Sequence, residues 1–214
     1  MRLVRVARAA AIYILIMLLH EKLKRYRLIL ASQSPRRRQL LSDAGLEHTL
    51  AERFECEEIY PADLPAAEVA EYLSRLKSDA YPAALEARDI LLTADTVVVA
   101  GGAVLGKPAD RDAAVDMLRR LSGREHEVIT GVTLRDAERM RSFSARSQVR
   151  FRRLADEEID YYVDNYRPMD KAGGYGIQEW IGYVGIEGIE GSFYNVMGLP
   201  VQRVYCELDA FVEG

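Results

Sequence analysis

The segment at residues 28–45, LILASQSPRRRQLLSDAG, constrains the fold of this chain more than any other stretch. Its first three apolar residues predict a short strand, and Ser34 followed by Pro35 has the pattern of a helix N-cap with proline at the first helical position. Gly45 is placed to end that helix. A strand that leads directly into a helix predicts an α/β unit, with free backbone N–H groups and the positive end of the helix dipole at the turn.

Three consecutive arginines, Arg36, Arg37 and Arg38, follow that proline. Cations are better placed at the C-terminus of a helix, so the helix dipole does not explain three of them here. An anionic ligand explains them, and polyphosphate is the obvious class. A solvated basic turn is the alternative, and the segment alone does not distinguish the two.

The composition is that of an ordinary globular protein, with 49% hydrophobic and 29% charged residues among 214, which is enough for a core without disulfide or metal support. A net charge of -4 argues against a nucleic-acid-binding protein. Cys56 and Cys206 have no metal-ligand spacing and form no disulfide framework, which predicts a reducing, cytoplasmic location. The scattered His20, His48 and His126 argue against zinc or histidine-based catalysis, and we expect structural or surface roles for them.

The first 27 residues form an extension ahead of the predicted first strand. A basic start and an uncharged apolar run up to residue 19 imitate a signal peptide, but the run is too short to span a membrane comfortably and no convincing cleavage site follows. We expect residues 1–16 to be an upstream extension, with Met17 as an alternative start. A membrane-tethering helix and an extra amphipathic helix are the alternatives left open.

Strands and helices alternate along residues 28–214, which we interpret as one domain with a mixed α/β sheet. Helices are predicted at residues 66–80, 110–121 and 156–163. Strands are predicted at residues 90–100, 104–108, 127–134 and 143–151, the first two joined by a hairpin at Gly101-Gly102. Two glycine-punctuated segments, residues 169–178 and 191–200, follow, and the second leads into a final helix or strand. A division into two lobes is expected near residues 123–127.

Asp95 is the sharpest single candidate for catalysis. It interrupts an apolar strand, where a carboxylate is costly unless it is paired or bound to a metal. Ligands gather at strand ends in open α/β sheets, so we interpret Asp95 as a general base or metal ligand at such an end. A structural aspartate near the Gly101-Gly102 hairpin is the alternative.

Two lysines and an acidic pair complete the candidate site. Lys77 and Lys107 offer compact charges that suit phosphate oxygens, and Glu57 and Glu58 offer the hard oxygen ligands that Mg²⁺ prefers. Solvated lysines and a solvated acidic loop are the alternatives. Together these residue types predict a site in which a carboxylate, best Asp95, activates water for attack on phosphorus. The P-loop, GxSxG and HExxH motifs are absent from the sequence.

Six stretches, in order, resemble the Maf family of nucleotide pyrophosphatases, and the resemblance covers residues 28–208. They are ASQSPRRRQLL, ADTVVV, LGKP, LSGREHEVITGV, MDKAGGYGIQ and GSFYNVMGLP. The resemblance implies a mixed α/β fold with an elongated sheet flanked by helices, two lobes and a central cleft, similar to inosine-triphosphate pyrophosphatases. It also implies cleavage of nucleoside triphosphates to the monophosphate and pyrophosphate with a divalent cation, Mg²⁺ or Mn²⁺.

The resemblance assigns roles position by position. Asp95 matches the catalytic base, and Lys77, Lys107 and Glu57 match the other polar residues of the active site, with Asp95 and Glu57 as metal ligands. Glu58 replaces Glu57 if the placement of the acidic pair shifts by one residue.

The substrate-binding residues implied by the resemblance are Ser34, Arg36, Arg37, Thr96 and Gln178. Arg36, Thr96 and Gln178 match the positions that sort substrates, and their combination resembles the branch that acts on dTTP and UTP. An amide both donates and accepts hydrogen bonds, so Gln178 suits a pyrimidine edge. Tyr175 is the tyrosine best placed to stack on a base.

The resemblance further implies a homodimer that takes a nucleoside triphosphate. The negative net charge and the lack of a recognisable reading helix argue against binding to nucleic acid, and we expect no stable membrane association. The same chemistry on 7-methyl-GTP or inosine triphosphate is one alternative. A nucleotide-binding regulator of cell division without strong catalysis is the other.

Overall fold

The computed structural model describes residues 18–213, so the predictions for residues 1–16 and Met17 lie outside the described residues. The helices within that range are α1 (Leu19–Leu23), α2 (Pro35–Asp43), α3 (Ala66–Asp79), α4 (Arg111–Leu121), α5 (Asp156–Tyr166), α6 (Trp180–Gly185), α7 (Phe193–Met197) and α8 (Val201–Glu213). The strands are β1 (Arg27–Leu30), β2 (Thr49–Leu50), β3 (Asp89–Ala100), β4 (Ala103–Leu105), β5 (Glu125–Arg135), β6 (Met140–Phe151) and β7 (Ile186–Glu190). No helix within the described range is long and apolar enough to cross a membrane.

The local signals of the sequence hold at several element ends. Ser34 takes the N-cap position of α2 and Pro35 follows it as the first helical residue, although the Ser34 side chain makes no capping hydrogen bond. Asp110 caps α4 by accepting a hydrogen bond from the backbone N–H of Ala113 at 2.9 Å. The turn at Gly101 and Gly102, both with positive φ, joins β3 to β4 as an antiparallel hairpin. The choice left open for the C-terminal segment resolves as helix α8.

All seven strands form one mixed sheet in the order β2-β1-β3-β5-β6-β7, with β4 against one end of β3. Strand β1 runs parallel to β2 and β3, and every other pairing is antiparallel. The predicted fold class, a mixed α/β sheet flanked by helices, is confirmed.

Strand β3 has a gap on one of its two sides. Strand β1 pairs with residues 89–92 and β4 pairs with residues 98–100, whereas β5 pairs along residues 91–99. Within the described chain, residues 93–97 therefore have a strand neighbour on the β5 side only. Asp95 lies in the middle of this gap, in the interior of β3 and not at a strand end as predicted.

Two large hydrophobic clusters lie towards the two ends of the sheet. The first packs α1, α2 and α8 around β1, and the second packs α4, α5 and α6 around β5 and β6. The division predicted near residues 123–127 does not separate them, because Leu121 and Val128 both belong to the second cluster. Strand β3 contributes to both, through Leu92 and Val98, so the sheet is continuous between them.

Helix α3 packs unusually close to the sheet, beside the gap. Its Val69, Ala70 and Leu73 form a third buried cluster with side chains of β3 and β5. Gly131 of β5 lies opposite Asp95 in the strand register. A Cβ atom at Gly131 would lie 2.2 Å from the carbonyl oxygen of Ala70, so only glycine allows the helix backbone to approach this far.

We expect Gly131→Ala to destabilise the fold by about 3 kcal/mol, because α3 must move away from β5 to accommodate the methyl group. Thermal and urea unfolding would measure the change. Gly106→Ala is the matched control, since a Cβ there meets nothing within 4 Å and its φ is not positive. Equal stability of the two variants would contradict the importance of this close contact.

Candidate active site

A cleft of about 530 Å³ opens at the gap in β3. Its volume falls within the range of small-molecule sites. The lining contains the predicted residues Ser34, Arg36, Arg37, Lys77, Asp95, Thr96, Lys107 and Gln178. It also contains Glu58, whereas Glu57 is not among the lining residues.

Lys77 joins two carboxylates at the floor of the cleft. Its Nζ donates a short hydrogen bond to Asp95 Oδ1 and lies 3.0 Å from Glu58 Oε1. Asp95 is only 8% exposed, so this partner offsets the cost of burying its charge. Burial opposes ionisation of Glu58, but the charge of Lys77 outweighs it and the pKa of Glu58 lies below its ordinary value. The result is a half-buried lysine in contact with two carboxylates.

The acidic residue that the structure brings to Lys77 is Glu58 and not Glu57. Both glutamates lie in an irregular segment between β2 and α3, and Glu57 is exposed outside the cleft. An irregular segment has no period by which the sequence tells one neighbour from the next, so the sequence does not decide between Glu57 and Glu58. Glu58, given as the alternative to Glu57 in the sequence analysis, is the glutamate in contact with Lys77.

Arg37 connects the backbone segments around the gap. Its guanidinium donates to the carbonyl oxygens of Gly198 at 2.7 Å and Ala94 at 2.9 Å, to Ser32 Oγ at 3.2 Å and to Thr96 Oγ1 at 3.0 Å. Because a guanidinium has five N–H groups, these contacts leave little capacity for phosphate. Burial lowers the pKa of Arg37, and the nearby Asp95 opposes that effect. The geometry favours a structural role for Arg37 in place of the predicted phosphate contact.

Thr96 is also engaged by the protein. Its hydroxyl contacts Thr130 Oγ1 at 2.9 Å and accepts the bond from Arg37, with the carbonyl oxygen of Gly198 at 3.4 Å. Its side chain therefore helps to hold the segment after α7 against the sheet at the edge of the cleft.

Arg36 reaches across the cleft. Its Nη1 lies 2.8 Å from Asp170 Oδ2, and the other oxygen of Asp170 accepts from Lys171 Nζ at 2.7 Å. Lys171 is buried and also lies 3.1 Å from Glu179 Oε1. Burial opposes ionisation of Asp170, but its hydrogen bonds to Lys171 and Arg36 outweigh it and lower its pKa. Asp170 and Lys171 belong to the motif MDKAGGYGIQ, but no local pattern in the sequence indicates their contacts with Arg36 and Glu179.

Lys107, Arg53 and the start of α2 are positive groups that line the cleft without an ion-pair partner among the described residues. Within residues 18–213, Lys107 makes no ion pair, and the backbone carbonyl of the preceding Gly106 accepts from the N–H of Gly173 at 3.0 Å. Ser34 and the first turn of α2 also line the cleft. With the Ser34 side chain making no capping bond, the N–H groups of that turn remain available to an anion.

Gln178 lies in the opposite wall. Its Oε1 is buried and has no hydrogen-bond partner among the described residues. Buried polar atoms are normally satisfied, so this acceptor is suited to a donor that the ligand provides. Tyr175 lines the same wall but is 5% exposed and packs edge-on against Phe151 and His126, which restricts stacking on a base.

The donor set of the cleft suits a hard divalent cation. Residues 18–213 contain no group of three or more His, Cys, Asp or Glu side chains arranged to hold a metal by themselves. Asp95 and Glu58 are two carboxylates close to one Lys77 ammonium group. Mg²⁺ is commonly held by one or two carboxylates together with substrate phosphates, so the residues present fit such an ion.

Residues 27–211 match the family model described as Maf-like protein. This chain belongs to the Maf-like family. A dTTP/UTP pyrophosphatase from Bacteroides thetaiotaomicron is 54% identical over 186 residues, covering 87% of this chain and 96% of that protein. One from Porphyromonas gingivalis is 52% identical over 195 residues, covering 90% and 98%. A HAM1 protein from Coxiella burnetii is similar in structure with a TM-score of 0.45 and 14% identity, covering 86% of this chain and 99% of that chain.

The buried His126 gives this Maf-like protein a specific dependence of stability on pH. Its Nε2 lies 2.7 Å from the Tyr175 hydroxyl, and its Nδ1 has no partner among the described residues. Burial lowers the pKa of His126 to about 4, below the ordinary value of about 6.5. The unfolded chain therefore takes up the proton first. The stabilisation is complete above about pH 6.5 and is lost as the pH falls towards about 4, by up to about 3 kcal/mol.

We expect His126→Gln to flatten the fall of the unfolding free energy between pH 6.5 and pH 4 relative to the unmodified protein. Urea unfolding at a series of pH values measures this slope. His20→Gln, at an exposed histidine, is the control and should leave the slope unchanged. A slope that is the same in His126→Gln as in the unmodified protein would refute the assignment.

Proposed function

We propose that this Maf-like protein is a nucleoside triphosphate pyrophosphatase that hydrolyses dTTP and UTP to the monophosphate and pyrophosphate. The observation that carries the proposal is the contact of Lys77 with Asp95 and Glu58 at the floor of the cleft. Arg36 and Gln178 line the same cleft, which provides for both ends of a nucleotide. The relatives named above as dTTP/UTP pyrophosphatases support the choice of substrate.

The triphosphate chain is bound by cationic and backbone groups. Lys107 and the N-terminal turn of α2, including Ser34, are free to contact phosphate oxygens, and Arg36 joins them by leaving Asp170. Arg37 and Thr96 hold the walls of the cleft in place, and Lys77 keeps the two carboxylates at its floor.

Asp95 activates the attacking water. Its second carboxylate oxygen, Oδ2, is not the atom bonded to Lys77 and accepts the proton as the water attacks the α-phosphate. Lys77 orients the carboxylate through its hydrogen bond to Oδ1. The pyrophosphate leaves towards Arg36 and Lys107, whose charges compensate the charge that develops on it.

Asp95 and Glu58 are the residues that would hold a divalent cation, Mg²⁺ or Mn²⁺, in place of the pair Asp95 and Glu57 predicted from the sequence. When bound, such an ion neutralises charge on the phosphate oxygens and lowers the pKa of coordinated water.

Gln178 distinguishes the base. The uracil and thymine edge offers an N–H donor between two carbonyl oxygens, and the unpartnered Oε1 of Gln178 is suited to that donor while its NH₂ donates to a carbonyl. Cytosine lacks the N–H at this position, so it leaves the acceptor unpaired.

The proposed cellular location is the cytoplasm, and the proposed assembly is a homodimer. Cys56 and Cys206 are both free thiols, which supports a reducing compartment, the cytoplasm. The expectation of a homodimer rests on the resemblance to the family alone.

We expect Asp95→Asn to lower kcat for dTTP and UTP by at least about 100-fold, because the amide cannot accept the proton from water. Pyrophosphate release with Mg²⁺ or Mn²⁺ measures the rate, and circular dichroism checks that the fold is retained. Asp112→Asn, at an aspartate whose side chain is 94% exposed, is the control. A folded Asp95→Asn variant that retains full activity would exclude Asp95 as the base.

The two neighbouring glutamates provide a matched pair. We expect Glu58→Gln to lower kcat by about 10-fold or more and to raise the metal concentration needed for half-maximal rate, since it removes a carboxylate beside Lys77. Glu57→Gln should leave both quantities unchanged, because Glu57 lies outside the cleft. A lower kcat in Glu57→Gln together with an unchanged Glu58→Gln variant would instead support Glu57 as the active-site glutamate, as predicted from the sequence.

Substrate choice is tested with a panel of dTTP, UTP, CTP, GTP, 7-methyl-GTP and inosine triphosphate. We expect dTTP and UTP to have the highest kcat/KM, and Gln178→Ala to reduce their advantage over CTP by about 10-fold or more, since it removes both hydrogen-bonding atoms of the amide. Turnover confined to 7-methyl-GTP or inosine triphosphate would retain the chemistry and overturn the substrate. No turnover of any nucleotide would leave a nucleotide-binding protein without catalysis.

A further inference from the structure

The segment that carries Gln178 is held by a hydroxyl from a different part of the fold. Tyr162 of α5 is fully buried, and its hydroxyl accepts a hydrogen bond from the backbone N–H of Gly176 at 2.9 Å. The same hydroxyl donates a short hydrogen bond to Glu179 Oε2. One atom therefore fixes the residue two positions before Gln178 and the residue directly after it.

Glu179 extends this contact towards the phosphate end of the cleft. Its other oxygen, Oε1, lies 3.1 Å from Lys171 Nζ, and Lys171 is bonded to the Asp170 that holds Arg36. Gly176 leaves no spare room beside this chain, because a Cβ there would lie 2.9 Å from the carboxyl carbon of Glu179 and 3.1 Å from Lys171 Cε. The hydroxyl thus belongs to a tightly packed network behind the cleft wall.

The hydroxyl of Tyr162 is separable from the packing of its ring. The ring packs among apolar residues of the second cluster, including Ile159 and Val163. Burial, together with the hydrogen bond to Glu179, raises the pKa of Tyr162, so the group stays a neutral donor. Removing only the oxygen leaves the core filled while the Gly176 N–H loses its partner.

We propose that Tyr162 is a positioning residue for base selection, which acts through residues 176–179 on the side-chain amide of Gln178. The proposal rests on the proposed function, since it assumes that Gln178 contacts the base. It predicts that the preference for uracil over cytosine depends on a hydroxyl that lines no part of the cleft.

The test compares kcat/KM for UTP and CTP in the unmodified protein, Tyr162→Phe, Gln178→Ala and the double variant. We expect Tyr162→Phe to lower the UTP-to-CTP ratio about 5- to 10-fold, mainly through a higher KM for UTP, because a displaced amide loses its hydrogen bonds. In the Gln178→Ala background the same substitution should not change the ratio further, because both changes act through one contact.

Tyr166→Phe is the matched control. The Tyr166 ring stacks on that of Tyr162 with centroids 5.1 Å apart, but its hydroxyl makes no hydrogen bond within the described residues, so the ratio should be unchanged. Calorimetric titration with UMP and CMP measures the same preference without turnover. Melting temperatures show whether Tyr162→Phe remains folded. If it does not, Glu179→Gln is the second variant: it removes the charge of the hydrogen-bond acceptor and should shift the UTP-to-CTP ratio in the same direction.

The two proposals fail in different ways. An unmodified protein that turns over neither dTTP nor UTP refutes the proposed function, and the UMP and CMP titrations then still decide the role of Tyr162. An active and selective protein whose ratio is unchanged in folded Tyr162→Phe refutes the positioning role alone. A ratio that falls equally with and without Gln178 also refutes it, since Tyr162 would then act by another route.

Discussion

The interruption of strand pairing along β3 is the constraint on which the site depends. Residues 93–97 are paired to β5 but lie between the end of β1 and the start of β4 on the other side. Side chains alternate along a strand, so Asp95 points towards α3 while Thr96 points towards the segment after α7. Arg37 occupies the free backbone carbonyl of Ala94, as a strand would have done. A continuous sheet would have closed this space to a ligand.

Helix α3 must also be placed accurately along the sheet, because the ammonium group of Lys77 reaches the carboxylate of Asp95 at only one position of the helix. Buried hydroxyl contacts provide this alignment: Thr93 Oγ1 donates to the carbonyl oxygen of Ser74 at 2.7 Å, and Ser74 Oγ lies 2.8 Å from Thr133 Oγ1. Apolar packing alone tolerates sliding, whereas buried hydrogen bonds lost by a shift are costly. Lys77 follows Ser74 by about one helical turn, so the contacts that align the helix also place the ammonium group.

The helices and strands of the fold can be predicted largely from the sequence, whereas most contacts between side chains cannot. The cap at Asp110, the hairpin at Gly101 and the periodicity of α3 are local signals, and each has its predicted counterpart in the structure. Asp95 stood out because a carboxylate in an apolar strand requires a partner. Lys77, its partner, also contacts Glu58, which lies in an irregular segment where no periodicity separates it from the residue before it. The network through Tyr162 depends on contacts between distant segments, which have no local signature.

Several charged side chains of the cleft are already paired with one another, and these pairs bear on how a triphosphate would bind. Lys77 is paired with Asp95 and Glu58, and Lys171 with Asp170 and Glu179, so these lysines carry little free positive charge. Arg36 differs, because its partner Asp170 comes from the opposite wall and retains Lys171 when Arg36 departs. A phosphate that takes Arg36 therefore leaves no carboxylate unpaired. The exchange costs less than breaking either lysine pair would, which favours the proposal that Arg36 changes partner on binding.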